Sequence, residues 1–263
     1  MKFRLRILSF ILLHLFFFIN FAHGAVSVGI GPEHFLWREY KRNGSQVLEE
    51  SGFRGALRLN WEQDRSHGFL FGYSGKLYLG TVNYDGQTWG GTPVFTDTTY
   101  SGFQNEGSFI LRQPITGTSI IDIITALGWD HWTRSIRNQN ASQVEEYDIL
   151  YLRLGPLFSF QGKRGPWLGA GGKVPLYTYE NGHIDTIGFD QNPILHPGKQ
   201  LWFYVNLGYW FNSKWEGTLY YDSYRFSESP QENVTQNGVP EGTVYQPQSS
   251  MDLIGIRGIY HLP

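Results

Sequence analysis

The chain has no cysteine and only two methionines among its 263 residues. Without thiols, a disulfide framework, a thiolate metal site and a cysteine redox centre are all excluded. Charge is scarce too: Asp, Glu, Lys and Arg make up 17% of the residues, where an ordinary soluble domain carries about 25%. No basic tract is present and the net charge is −2, so nucleic acid is not an expected partner. Past residue 24 no stretch approaches the roughly 20 consecutive apolar residues of a spanning helix, which removes a helical membrane bundle. His34, His67, His183 and His196 are scattered and lack the tight spacing of metal ligands, so no metal or other cofactor is expected.

Aromatic residues and glycine are abundant instead, with 17% Phe, Trp and Tyr and 32 glycines. The first residues are basic at Lys2, Arg4 and Arg6, apolar from Ile7 to Phe21, and then small at Ala22 and Gly24 around His23. These are the three regions of an export signal, which places a cleavable segment at residues 1–24 and a single domain at residues 25–263. Its removal takes three positive charges and lowers the net charge from −2 to −5.

The rest reads as ten alternating segments, at residues 26–38, 52–62, 68–82, 102–112, 119–132, 146–160, 167–178, 201–211, 215–226 and 251–262. Each is long enough for a tilted strand to cross a bilayer, which takes about 9–11 residues. In the second, Phe53, Gly55, Leu57, Leu59 and Trp61 share one face while Arg54, Ala56, Arg58, Asn60 and Glu62 share the other. Period two is the spacing of strand faces, and here the oily face is the one to turn toward lipid. Short connections (63–67, 113–118, 161–166, 212–214) alternate strictly with long polar ones (41–51, 83–101, 133–145, 179–200, 227–250). That pattern puts all short turns on one side of a membrane. The expected fold is therefore all-β: a closed antiparallel transmembrane β-barrel of ten strands. Eight is the alternative, if two segments form hairpins outside the membrane. Trp61, Phe69, Phe158, Trp167, Phe211 and Trp215 flank the short turns, where an interfacial aromatic girdle belongs.

In signal, strand alternation and loop layout the chain resembles small Gram-negative outer-membrane barrels, of the OmpA-like and the ten-stranded omptin and adhesin kinds. It departs from their common terminal aromatic residue, ending Tyr260-His261-Leu262-Pro263. The resemblance implies an integral outer-membrane location, contact with outer-membrane lipid and lipopolysaccharide, and insertion by the barrel assembly machinery.

Carrying the alternation through every strand turns Arg54, Arg58, Lys76, Arg112, Arg153, Lys173 and Arg257 inward. Glu33, Glu62, Glu106, Asp122, Asp130, Glu216 and Asp222 turn inward with them. A lumen balanced in sign pairs its charges, whereas a lumen of one sign marks an ion path. A closed interior is expected, and with it a non-catalytic barrel with a structural or adhesive role played by its surface loops. The alternatives are a narrow small-solute channel and an outer-membrane enzyme, either an omptin-like protease or a lipid A-modifying hydrolase. For the enzyme, Asp130 and His131 are the weak catalytic candidates, with Asp97, Asp148 or Asp222 as partner acids, or His131 with Ser135 and Glu145. Adjacent residues of a strand point to opposite faces, so Asp130 and His131 share the lumen only across a bulge.

Overall fold

The computed structural model describes residues 24–88, 91–137, 143–160 and 164–263. The expected export segment, apart from Gly24, and part of the turn at 161–166 lie outside the described residues. The strands are β1 Gly24–Tyr40, β2 Gln46–Gln63, β3 Gly68–Gln87, β4 Pro93–Pro114, β5 Ser119–Ile136, β6 Gln143–Phe160 and β7 Gly165–His183. After a 3₁₀ turn at Ile184–Ile187 come β8 Ile194–Leu195, β9 Gly198–Lys199, β10 Trp202–Trp210, β11 Trp215–Ser227, β12 Glu232–Gln236, β13 Val239–Val244 and β14 Gln248–His261.

Ten of these strands (β1 to β7, β10, β11 and β14) form one antiparallel ring. Neighbours in sequence pair along it, β7 pairs with β10, β11 with β14, and β14 returns to β1. Closure leaves no edge, so each strand has a partner on both sides, as hydrocarbon demands. β10 is shorter than its neighbours, and above it β8 and β9 pair with β7 and β11 to fill the wall.

The outer face carries a belt of exposed apolar side chains, among them Ile30, Phe53, Leu57, Phe71, Leu77, Leu127, Leu154, Phe203 and Ile256. So large an exposed oily surface is the signature of a lipid-facing barrel. The belt ends on the loop side near Leu36, Phe53, Leu79, Trp129, Leu201 and Ile254. Beyond it the outward residues become mostly polar, with Arg38, Glu49, Ser51, Asn83, Asp85, Asp97, Thr99, Thr133 and Asp252 there and Phe95 as an exposed exception.

The strands nevertheless run on. Residues 83–87, 93–101, 133–136 and 143–145, expected within polar loops, are continuations of β3, β4, β5 and β6, with Gln87 paired to Pro93 and Ile136 to Gln143. The loops 41–51 and 179–200 likewise give up residues to β2 and β7. An outer extension of the barrel thus stands above the spanning segments. The loop 227–250, expected as a long polar connection, holds the hairpin β12–β13. Its tip is Asn237-Gly238, with φ of 52° and 76°, the left-handed pair that a tight hairpin turn requires. The exposed Asp190 carboxylate accepts from the Gly238 N–H (2.8 Å), the Thr235 hydroxyl (2.7 Å) and the Asn237 N–H (2.9 Å). Those donors, the Gly238 amide first, hold the Asp190 carboxyl below the usual carboxylate range.

Candidate functional site

The lumen is filled. Phe35, Trp37, Tyr100, Trp132, Tyr147, Trp202, Tyr224 and Phe226 point inward and are almost wholly excluded from solvent. Trp132 stacks on Tyr147 at 4.8 Å and 11°, Trp202 meets Tyr224 at 4.7 Å, and Phe35 meets Tyr100 at 4.4 Å. Such ring pairs add packing energy beyond the area they bury. Inward glycines make the space: a Cβ at Gly128 would lie 2.2 Å from the Tyr151 ring, and one at Gly208 2.1 Å from the Trp167 ring.

On the turn side of this aromatic layer lie the inward charges. Glu33, with no solvent exposure, accepts from Arg54 (2.5 Å), Lys76 (2.6 Å) and the Tyr220 hydroxyl (2.8 Å). Asp130 accepts from the hydroxyls of Tyr78 (2.7 Å) and Tyr224 and from the Gln104 amide (3.3 Å). Arg153 pairs with Glu106 and Lys173 with Asp222, each at 2.5 Å. Arg112 bridges Asp122 (2.7 Å) and Glu62 (2.8 Å) near the short turns. Glu216 accepts from the Trp167 indole (3.1 Å) and the Thr218 hydroxyl (3.1 Å), and lies 2.9 Å from His261 Nε2. Arg58 donates to the Ser74 hydroxyl at 2.6 Å. Neither Arg58 nor Arg257 has an ion pair among the described residues.

The girdle residues divide. Phe69, Phe158, Phe211 and Trp215 are exposed on the outer face, and Trp61 shares that face with Leu57 and Leu59. Trp167 instead turns inward, because Gly208 opens a slot for its ring and Glu216 accepts its indole N–H.

A second cluster, absent from the sequence reading, occupies the outer extension. Arg134 lies at its centre, 2.7 Å from Glu145, 3.0 Å from Glu50 and 3.1 Å from Glu39. Glu50 also accepts from Thr98 (2.7 Å) and Tyr100, and Glu39 from the Trp37 indole (2.8 Å). Buried Glu180 is the fourth acid, and Gln246 lies between it and Glu39. The Gln246 amide reaches Glu39 at 3.3 Å or, turned over, Glu180 at 3.1 Å. Burial pushes the carboxyls of Glu39 and Glu180 up. For Glu180 the neighbouring Glu145 and Glu39 add to it. Burial works to lower the Arg134 pKa, but the surrounding carboxylates, Glu145 and Glu50 foremost, outweigh it and hold that pKa well above the usual range.

Of the catalytic candidates, His131 and Asp148 come together, but on the outer face and apart from Asp130. Asp130 is inside, while His131 is on the outer face beside Phe103, with Nδ1 3.1 Å from Asp148. The Trp129 indole occupies the same Asp148 oxygen at 2.8 Å. Asp97 reaches toward Arg137 at 3.6 Å and Asp222 is held by Lys173. Glu145 faces inward to Arg134, away from His131 and Ser135. Among the described residues no group of His, Asp and Glu is arranged to hold a metal ion.

No protein-family model matches the sequence, and no curated protein matches it. Solved structures do. The chain is similar to the outer membrane protease OmpT of Escherichia coli, at 13% identity and a TM-score of 0.56, covering 92% of this chain and 98% of that one. Other matches are an outer membrane channel of Pseudomonas putida F1 (10% identity, TM-score 0.40, 91% and 96% covered) and the attachment invasion locus protein Ail of Yersinia pestis (8% identity, TM-score 0.37, 91% and 99% covered). At these identities the likeness is one of fold: a closed outer-membrane-type β-barrel.

Proposed function

We propose that the protein is a non-conducting, non-catalytic barrel of the bacterial outer membrane, with a structural or adhesive role exercised by its outer extension and loops. The filled lumen carries this reading. A through-path needs a continuous wet channel lined to favour passage, and here stacked rings span the bore while most of the charges beside them are tied to one another. The outer parts are also built to hold a shape: Asp190 pins the β12–β13 tip, and Arg42 donates to Glu228 at the rim at 3.0 Å. A rigid surface lowers the entropy lost when a partner docks. Hydrolysis is disfavoured because His131 faces outward and its acid partner is shared with an indole.

Purified barrel in planar bilayers is expected to give no reproducible conductance steps. Stable, voltage-independent openings at single-molecule dilution would overturn the closed reading.

Export by a cleaved segment and insertion by the assembly machinery belong to the same proposal. Protein extracted from outer membranes is expected to show, by intact mass, a chain beginning at Ala25. A mass that includes Met1–Gly24 would refute cleavage there.

A further inference from the structure

The turn-side half of the lumen holds a small cavity with more cations than acids around it. Arg58, Lys76, Arg153, Lys173 and Arg257 line it, against Glu106 and Asp222. Three of the five cations already have a carboxylate: Lys76 has Glu33, Arg153 has Glu106 and Lys173 has Asp222. Arg58 and Arg257 are left over. Glu216, two residues along β11 from Arg257's strand partner Thr218, is engaged by Trp167, Thr218 and His261.

These two arginines meet over one point of the wall. Gly29 of β1 is paired with Arg58 of β2, and the Arg257 stem from β14 lies across that same Gly29, where a Cβ would come within 2.6 Å of its Cδ. Arg257 is only 9% exposed, its Nε has no acceptor, and its other neighbour is the Tyr220 ring, 4.9 Å below the guanidinium. A buried guanidinium such as Arg257, without an ion pair among the described residues, is costly, and the half-buried Arg58 shares its stretch of wall. Their forked donors match the oxygens of a tetrahedral anion.

We infer that Arg58 and Arg257 clasp one small soluble oxyanion of the phosphate or sulfate class in this cavity. Asn206 lines the same cavity and offers an amide donor. The free space admits about three waters, which is also the size of one such ion. The strand wall separates the site from lipid headgroups and the aromatic layer separates it from the loop side, so the ligand is a free ion arriving from the turn side.

Mature barrel folded in detergent is titrated with inorganic phosphate at constant ionic strength, by calorimetry and by thermal unfolding. Saturable one-to-one binding is expected. Arg58→Gln and Arg257→Gln should each weaken it about tenfold or more. Arg225→Gln, whose guanidinium is held by Asp252 away from the cavity, should bind as the parent does. The unaltered protein gives a second reading: phosphate should shield Arg58 and Arg257, and not Arg225, from phenylglyoxal, located by peptide mass. Stabilisation equal to that by chloride, unchanged binding in both cavity variants, or absence of shielding would each overturn the site.

Discussion

Glu33→Gln is expected to lower barrel stability by about 3–5 kcal/mol, the cost of breaking a buried ion pair from one side. Among the described residues Glu33 is the carboxylate that contacts both Arg54 and Lys76, and none of the three side chains reaches solvent appreciably. Glutamine keeps the shape and an acceptor oxygen but leaves two cations without a counter-charge. Tyr220→Phe, which deletes one hydrogen bond to the same carboxylate, should cost only about 1 kcal/mol. Glu33→Gln combined with Lys76→Met should recover part of the loss, since the pair is coupled. Urea unfolding in lipid vesicles, with gel mobility of unheated samples to score the folded fraction, measures all three. A cost for Glu33→Gln no larger than that of Tyr220→Phe would show that this carboxylate does not hold the strands together.

Arg134→Gln is the second large change. It removes the cation that, among the described residues, contacts Glu39, Glu50 and Glu145 together, with buried Glu180 close by. The outer extension should loosen while the spanning belt stays assembled, with about 3–5 kcal/mol lost from the extension. Protease should then cut β3–β4 and β5–β6 on the loop side, leaving a membrane-protected core. The unaltered cluster has its own pH dependence. The folded carboxyls of Glu39 and Glu180 hold their protons above the ordinary range, so they bind protons more tightly in the fold than in the unfolded chain. Their contribution to stability is therefore complete below the unfolded value, about 4.3–4.5, and is lost as pH rises through the folded values. The extension should resist protease better in mild acid than above neutrality, and acid should rescue Arg134→Gln in part. Greater resistance at high pH in either protein would contradict this.

The sequence disclosed the ring and the sign of its lumen, because both follow from period two with an oily outer face. It concealed the outer extension for the same reason. From Thr81 onward in β3 the outward residues are Asn83 and Asp85 and the inward ones are Val82 and Tyr84, so alternation continues with its polarity inverted. A search for oil-facing strands stops there and labels the remainder loop. Glu50, Arg134 and Glu180 fell in those stretches and went unnoticed, and Glu145 was weighed only as a partner of His131 and Ser135. Tyr100, within the stretch expected as the loop 83–101, is fully buried and bonds Glu50. Trp167 was assigned to the girdle because it flanks a short turn, yet the alternation that turns Lys173 inward puts Trp167, six residues earlier on the same strand, on the lumen face as well, and Gly208 opens the slot for its ring. Arg58 and Arg257 were counted as inward, but only the register, which brings both over Gly29, shows that they lack acids.

Of the ring's joints, that between β1 and β14 links the most distant parts of the chain, with Ser27 opposite His261. Its ladder lapses at Gly31 and Pro32, where proline has no N–H to give and a Cβ on Gly31 would strike the Ile256 carbonyl at 1.9 Å. The remaining joints zip between segments close along the chain, so this one forms last, after a curled ribbon already exists. It is the clasp that turns the ribbon into a hoop.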